Sequence, residues 1–279
     1  MKTHSISATS KRSDGFTIID FLMIILMLTI LAVLVPAVSL PAIQEGRVER
    51  TKAKLLAIRR AIIGDTAQTV RRARTDFGFL GDMGRVPNAT PTPDAILELI
   101  NQPSGSGSHG QDQDARFAYG WNGPYLDTSD PEMDWTKDAW GNTFDYVAGT
   151  SSTPTVITSY GADGQPGGSD LDADLVVEIA PEQTAFTLHG FVTDSGGGVF
   201  TGTGEVFLHD LDGNGELSTP LPSATIGPSG YFNFTGVTMG RRSVFLTLPN
   251  PAPTVTVGPV TVTPGATHVV LPSRRLEAP

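Results

Sequence analysis

Three regimes of apolar and polar positions follow one another along the chain. From Phe16 to Ile43 the residues are almost all apolar, and one acid, Asp20, interrupts the run near its start. A charged leader precedes it, ending Lys11-Arg12-Ser13-Asp14-Gly15. From Gln44 to Asp76 the pattern becomes amphipathic and rich in small residues, with Ala53, Leu56, Ala57, Ala61 and Gly64 near one face of a predicted helix. Past Asp76, Gly, Pro and Asn take over. Pro87–Pro93 reads as a loop and Asp94–Asn101 as a short helix. Ser104–Asp114 reads as a flexible polar excursion. Strand patterns follow at Thr143–Val147 and Val156–Tyr160. Beyond residue 182, short alternating runs recur between turn signals: Phe186–Val192, Val206–Leu208, Tyr231–Phe234, Ser243–Leu248 and Val255–Val262. That spacing predicts a small antiparallel β-sandwich over 182–275.

The first regime has the dimensions of a bilayer. Phe16 to Pro36 is 21 residues, about 31 Å of helix at roughly 1.5 Å per residue, against a hydrocarbon core of about 30 Å. A carboxylate in such a helix is costly, so Asp20 calls for a partner. The order of leader and apolar run also matters. An ordinary secretory signal is cut after its apolar core. Here the plausible cut, after Gly15, lies before it, so the helix would survive processing.

Charge and composition narrow the picture. The net charge is -10. The leader carries Lys2, Lys11 and Arg12 against Asp14, so the rest of the chain sums to -12. Residues 44–76 are locally basic, with nine Lys/Arg against four Asp/Glu. A basic helix face suits acidic parts of neighbouring subunits better than nucleic acid, and no nucleic-acid partner is expected. The leader charge lies before the span, which keeps it cytoplasmic and puts the bulk of the chain outside the inner membrane. There is no cysteine, so disulfides and thiol chemistry are excluded. There is no G-x-S-x-G, no Walker loop and no H-E-x-x-H, and the five histidines are scattered. The reading is not an enzyme.

The leader, Gly15, Phe16, Asp20 and the apolar run together resemble the class III signal of type IV pilins and type II secretion pseudopilins. The resemblance implies cleavage by a prepilin peptidase after Gly15 and methylation of Phe16. The family's glutamate, five residues into the mature chain, is matched by Asp20, one methylene shorter. The family's proline is matched by Pro36, one residue early. Lys137-Asp138-Ala139-Trp140-Gly141-Asn142 resembles the D-P-W-G-N-P-Y element of major pseudopilins, with Ala139 in place of the proline and a packing role. Gly161–Leu175 resembles the loop that closes the major pseudopilin. The resemblance covers roughly residues 11–178, and it is closest to the G subunit of type II secretion systems. The last third looks like a prealbumin-type sandwich, which most major pseudopilins lack.

The fold class that follows is α+β. A long N-terminal helix, partly transmembrane, packs on a small antiparallel sheet, and a separate all-β sandwich domain follows. The expected divisions are a leader at 1–15, a transmembrane and filament-core helix at 16–43, a pilin-like domain at 44–180 and the sandwich at 182–275. The resemblance implies a subunit of a helical filament. Its partners would be copies of itself, other pseudopilins, the prepilin peptidase, an inner-membrane assembly platform and the membrane. Asp20 would pair with the free amine of Phe16 on a neighbouring subunit. The competing expectation is a surface type IV pilin or adhesin that displays the sandwich as a binding domain.

Two acidic loops are candidates for metal. Asp163, Asp170, Asp172 and Asp174 lie within twelve residues, and hard divalent cations want clustered oxygen ligands. The resemblance implies Ca²⁺ there, with backbone carbonyls near Ser159 and Tyr160 completing the shell. Asp210-Leu211-Asp212-Gly213-Asn214-Gly215-Glu216 opens like an EF-hand loop, with Asp210, Asp212 and Asn214 as weaker ligands. Position twelve is Leu221, where an EF-hand needs Glu. Asn-Gly is itself a hairpin signal, so a β-hairpin is at least as good a reading.

Overall fold

One helix, α1, runs from Ile18 to Ile63. The computed structural model describes residues 17–70, 73–89, 92–194, 196–219, 221–247, 255–263 and 267–272, with only the backbone path at 31–41, 73, 92–93, 255–259, 267 and 270–272. The leader, Gly15 and Phe16 therefore lie outside the described residues, as does part of the expected membrane span. Among the described residues, no helix is long and apolar enough to cross a membrane. Two compact units divide within α1, Met1–Arg47 and Val48–Pro279.

In the second unit the buried stripe of α1 is Thr51, Leu55, Ile58, Ala61 and Ile62. It is offset from the face expected from the sequence: Ala53 and Leu56 are exposed, while the larger Leu55, Ile58 and Ile62 are buried. The helix stops at Ile63, short of the predicted Asp76. Gly64 sits at φ +77°, and a Cβ there would lie 2.5 Å from the Asp76 carbonyl oxygen. Only glycine fits that left-handed turn against a backbone neighbour. The Gly64 N–H still bonds Arg60 O at 2.7 Å, and Asp65 N–H donates to the Asp76 carboxylate at 2.7 Å. The chain then turns back as a hairpin, β1 (Thr69–Val70) against β2 (Ala73–Arg74).

Two short helices follow, α2 (Gly78–Met83) and α3 (Thr92–Leu97). Then come the paired strands β3 (Gly110–Gln111) and β4 (Ala118–Tyr119). Next is an antiparallel sheet of β5 (Asp145–Val147), β6 (Thr155–Ser159) and β7 (Leu175–Ile179) in that order. Alternation along β6 buries Thr155, Ile157 and Ser159. The stripe of α1 shares one core with Phe79, Leu80, Ile96, Leu99, Phe144, Ile157 and Ile179.

The sandwich comprises β8 (Ala185–Thr193), β9 (Glu205–His209), β10 (Ser223–Thr225), β11 (Tyr231–Thr238), β12 (Gly240–Thr247), β13 (Val255–Val262) and β14 (Thr267–Pro272). One sheet has the order β10-β9-β12-β13 and the other β11-β8-β14. The predicted sandwich is present but not wholly antiparallel, since β14 runs parallel to β8. The connection after β13 carries the chain from one sheet to the other. A strand entering by such a crossover is not bound to the reversed direction that a tight hairpin imposes.

The sandwich is not a separate body. Its buried residues Leu188, Val206, Leu208, Phe232, Val244 and Leu246 belong to the same core as α1 and Phe79. Ser104–Asp114 is not a free excursion either. Gly107 N–H donates to Asn214 O at 2.9 Å and Trp121 N–H to Gly107 O at 2.9 Å. The stretch is pinned because its glycine allows the 210–217 hairpin to approach; a Cβ on Gly107 would lie 2.5 Å from Gly215 O.

Near the end of α2 lies Asp82. Its Oδ2 accepts the Tyr125 hydroxyl at 2.9 Å. Burial pushes its carboxyl up to about 6 from an ordinary 3.8, against the opposing effects of the Tyr125 bond, His109 and Arg242. The same burial and the neighbouring carboxylate push the Tyr125 phenol up. Because the folded state holds the Asp82 proton longer than the unfolded chain does, stability falls as pH rises from about 4 to about 6. Asp82→Asn should remove that fall. Urea denaturation across pH 4–7 should show the variant gaining on the native chain by on the order of 1 to 3 kcal/mol at pH 7. A gain of the same size at pH 4 would overturn the assignment.

Candidate functional site

At the start of α1, Thr17 and Asp20 bond reciprocally. Thr17 N–H donates to Asp20 Oδ2 at 3.0 Å, and the Thr17 hydroxyl donates to the same oxygen at 2.7 Å. Asp20 N–H in turn donates to Thr17 Oγ1 at 3.3 Å. This is a capping box, with Thr17 as the N-cap and Asp20 three residues in. The T-x-x-D spacing was open to the eye in the sequence and was not used there. Around it the helix is apolar on every side. Ile18, Ile19, Phe21, Leu22, Met23, Ile24, Ile25, Leu26, Met27, Leu28 and Ile30 are all exposed. A helix of this kind has no polar face to give to water.

The 161–175 loop is shaped by Gly161, Gly164, Gly167 and Gly168, all at positive φ. Asp163 Oδ1 accepts Gln165 N–H at 3.0 Å. Both Asp174 oxygens accept Gly167 N–H at 3.1 Å. Asp170 and Asp172 lie on a 3-10 turn, Asp170 at φ 56°. Asp163, Asp170 and Asp174 are exposed and Asp172 is half-buried. Among the described residues no three His, Cys, Asp or Glu side chains are grouped to hold a metal ion. The four carboxylates thus share a loop without converging on one point.

The second acidic loop is a hairpin, as its Asn-Gly suggested. Asp212 N–H bonds Glu216 O at 2.9 Å, and Asp212 Oδ1 accepts Asn214 N–H at 2.7 Å. Leu211 and Leu217 face each other as an antiparallel bridge. Asp210 serves another partner. Its Oδ1 accepts Arg242 Nε–H at 2.7 Å and Leu211 N–H at 2.9 Å.

Arg242 is fully buried, with 0% of its surface exposed. Its Nη1 donates to Arg241 O at 2.7 Å and to Gly81 O at 3.4 Å, and its Nη2 to Thr238 Oγ1. Burial lowers its pKa and Asp210 opposes that fall. The Gly81 bond ties β12 to α2, where Gly240 stands so close to Gly81 that a Cβ on it would lie 3.1 Å from the Gly81 Cα and oxygen. Beside it, Arg85 Nε donates to Gly213 O at 2.7 Å, and its Nη1 pairs with Glu98 at 2.7 Å. Sequence reasoning missed Arg242, since a lone Arg in a strand pattern carries no signal of burial.

The Trp140-Gly141-Asn142 turn is a packing element, as expected, built on a carboxylate that the sequence reading passed over. Asp138 is buried and accepts Trp140 N–H and Asn142 N–H at 2.9 Å and the Ser159 hydroxyl at 2.7 Å. Ala139 N–H donates to Thr51 Oγ1 at 3.1 Å. Lys54 Nζ donates to the carbonyls of Asp134 and Lys137 at 2.7 and 2.9 Å. Among the described residues every buried side-chain polar atom has a partner.

Comparison with known proteins bears on residues 81–178, which match the family model of type II secretion system (T2SS), protein G. The type II secretion system core protein G of Xanthomonas campestris pv. campestris is 30% identical over 97 residues, 35% of this chain and 52% of that protein. The core protein G of Pseudomonas aeruginosa is 50% identical over 38 residues, 14% of this chain and 27% of that protein. The chain spans about half, or less, of the length of these curated relatives. Among solved structures, the full-length major pilin SpaD of Corynebacterium diphtheriae is 12% identical over 34% of this chain and 30% of its own, with a TM-score of 0.27. A superposition that weak carries no argument about the fold.

Asp210→Ala should strand a buried guanidinium and cost on the order of 3 to 5 kcal/mol in chemical denaturation. The double variant Asp210→Ala/Arg242→Met should recover much of the loss, because no charge is left to bury. Equal stability of the native chain and Asp210→Ala would show that the pair contributes nothing.

Proposed function

We propose, from the match of residues 81–178 to the family model of type II secretion system (T2SS), protein G, that the chain is a structural subunit of a type II secretion pseudopilus. It waits in the inner membrane on its N-terminal helix with the globular part in the periplasm. It is then drawn by an assembly platform into a helical filament with copies of itself and other pseudopilins. The observation that carries this reading is the start of α1, where every described side chain from Ile18 to Ile30 except Asp20 and Thr29 is apolar and exposed, on all sides of the helix. Such a surface needs a non-aqueous surround, which lipid supplies before assembly and neighbouring helices supply after it.

The capping box adds a role for Asp20. Both of its bonds from Thr17 end on Oδ2, so the carboxylate is held at the helix start, where the macrodipole favours negative charge. In the filament it would pair with the amine of Phe16 on the next subunit, after cleavage behind Gly15 and methylation of Phe16. The role is structural, not catalytic. A surface pilin or adhesin displaying the sandwich is the second reading.

Intact-mass spectrometry of the membrane-derived protein should show loss of residues 1–15 and an N-methyl group on Phe16. Asp20→Ala should leave the subunit inserted and reduce its filaments at least tenfold in a shearing assay, while Asp20→Glu retains them. A mature chain beginning beyond residue 36, or filaments at full yield from Asp20→Ala, would sink the reading.

Calcium at the 161–175 loop is part of the same proposal. It is supported by the resemblance and by four carboxylates with no ion pair among the described residues. Asp163, Asp170, Asp172 and Asp174 are the residues that would hold the ion; since they do not converge in this structure, the loop would have to draw them together around it, and the ion's charge would offset their mutual repulsion. A ligand bound only by the folded state stabilises it by about 2.7 kcal/mol at a hundredfold excess over Kd. The full chain should melt higher in millimolar Ca²⁺ than in chelator, and Asp163→Ala should lose most of that gain. Identical melting in calcium and chelator would remove the ion from the account.

A further inference from the structure

The outer face of the three-stranded sheet carries four rings side by side. Along β8, Leu188, Gly190 and Val192 are buried, while Thr187 and Phe191 are exposed and His189 is half-buried. Strand pairing sets Tyr231 of β11 opposite Phe191, and Asn233 opposite His189. On the other side, His268 of β14 lies opposite His189. Ring centroids are 5.4 Å apart for Phe191 and Tyr231, 5.4 Å for His189 and His268, 5.8 Å for Phe191 and His268, and 6.2 Å for His189 and Tyr231. Phe191 and Tyr231 are 37% and 38% exposed. The rings touch one another and also face solvent.

The described strand positions on this face are Thr187, His189, Phe191, Thr193, Tyr231, Asn233, Thr235 and His268. None is Asp, Glu, Lys or Arg, in a chain where those make up 17% of residues. The face therefore offers ring surfaces, two imidazoles, a phenol, an amide and hydroxyls, and no carboxylate, ammonium or guanidinium. Anionic polymers find no Lys or Arg on it, and cationic ones no Asp or Glu. A protein partner of ordinary surface composition would have to strip water from its own charged groups with nothing to pair them.

We propose that this face binds a neutral polysaccharide. Sugar rings present flat C–H surfaces that lie on aromatic rings and hydroxyls that bond to an amide or imidazole at the edge. Rigid aromatic side chains supply contact area at low entropic cost. Phe191 and Tyr231 form the platform, and Asn233, His189 and His268 supply the hydrogen bonds. The rings come from three strands, and the sheet holds them in register without help from a loop. The proposal is independent of the filament reading, since it concerns only the sandwich.

The test is affinity electrophoresis of the full chain, in a detergent without a sugar headgroup, through gels holding neutral glucans, mannans or galactans, or anionic polyuronates. At least one neutral polymer should retard the protein. Phe191→Ala and Tyr231→Ala should each weaken that retardation at least tenfold with melting temperature unchanged. Asn233→Ala, at an exposed position, should weaken it severalfold, which guards against loss by misfolding. No retardation by any neutral polymer, retardation by polyuronates alone, or retardation indifferent to Phe191→Ala and Tyr231→Ala would each overturn the proposal. So would a dependence on added Zn²⁺ that His268→Ala removes and Phe191→Ala spares, which would make the histidine pair a metal site.

Discussion

A guanidinium with no access to water has to find all its partners inside the protein, and Arg242 finds them across a seam. Asp210 from the hairpin neutralises it, Arg241 O comes from its own strand, and Thr238 comes from β11 of the other sheet. Gly81 O comes from α2 of the pilin-like part. Such a group is costly to bury and more costly to leave half-satisfied. The surrounding backbone is therefore constrained: Gly240, at φ +138°, comes so close to α2 that a Cβ on it would lie 3.1 Å from the Gly81 Cα and oxygen. The acidic hairpin that resembled an ion site is part of this seam. Its Asp210 has a cation already, supplied by the chain itself.

At the other end, a different economy governs the start of α1. There the polar groups are few and local. Thr17 and Asp20 satisfy each other within one turn, and everything around them is hydrocarbon. The capping bonds lower the cost of placing a carboxylate in an apolar helix without neutralising its charge.

What the sequence made legible were features written in local runs. The helix is visible in its apolar and small residues. The strand β6 shows in Val156–Ser159, the hairpin in Asn214-Gly215, and the sandwich in its alternating stretches. What it hid depended on residues far apart in the chain. The end of α1 is decided by Gly64 meeting Asp76. The union of sandwich and pilin-like part is decided by Gly81 meeting Gly240. The apparent looseness of Ser104–Asp114 is cancelled by Asn214, about a hundred residues on. The ring cluster was invisible for the same reason. Phe191, Tyr231 and His268 sit in three separate runs, and only register brings them together. For the acidic 161–175 loop the sequence offered ligand types, and the structure spends two of those carboxylates on backbone N–H groups.

The parallel pairing of β8 with β14 sets the order in which the molecule can be made. Leu188 pairs with Thr267, 79 residues later, while the sheet that packs on α1 closes within the span from β5 to β7. Short-range contacts form early and long-range ones late, because chain entropy is lost before a distant contact returns anything. The pilin-like sheet can therefore be complete while β8 still shows an open edge, the kind of edge that pairs with other chains. Folding of this chain carries an exposed interval that ends only when its last strand arrives. A chain held singly in a membrane, away from its copies, would pass through that interval more safely than one released into solution.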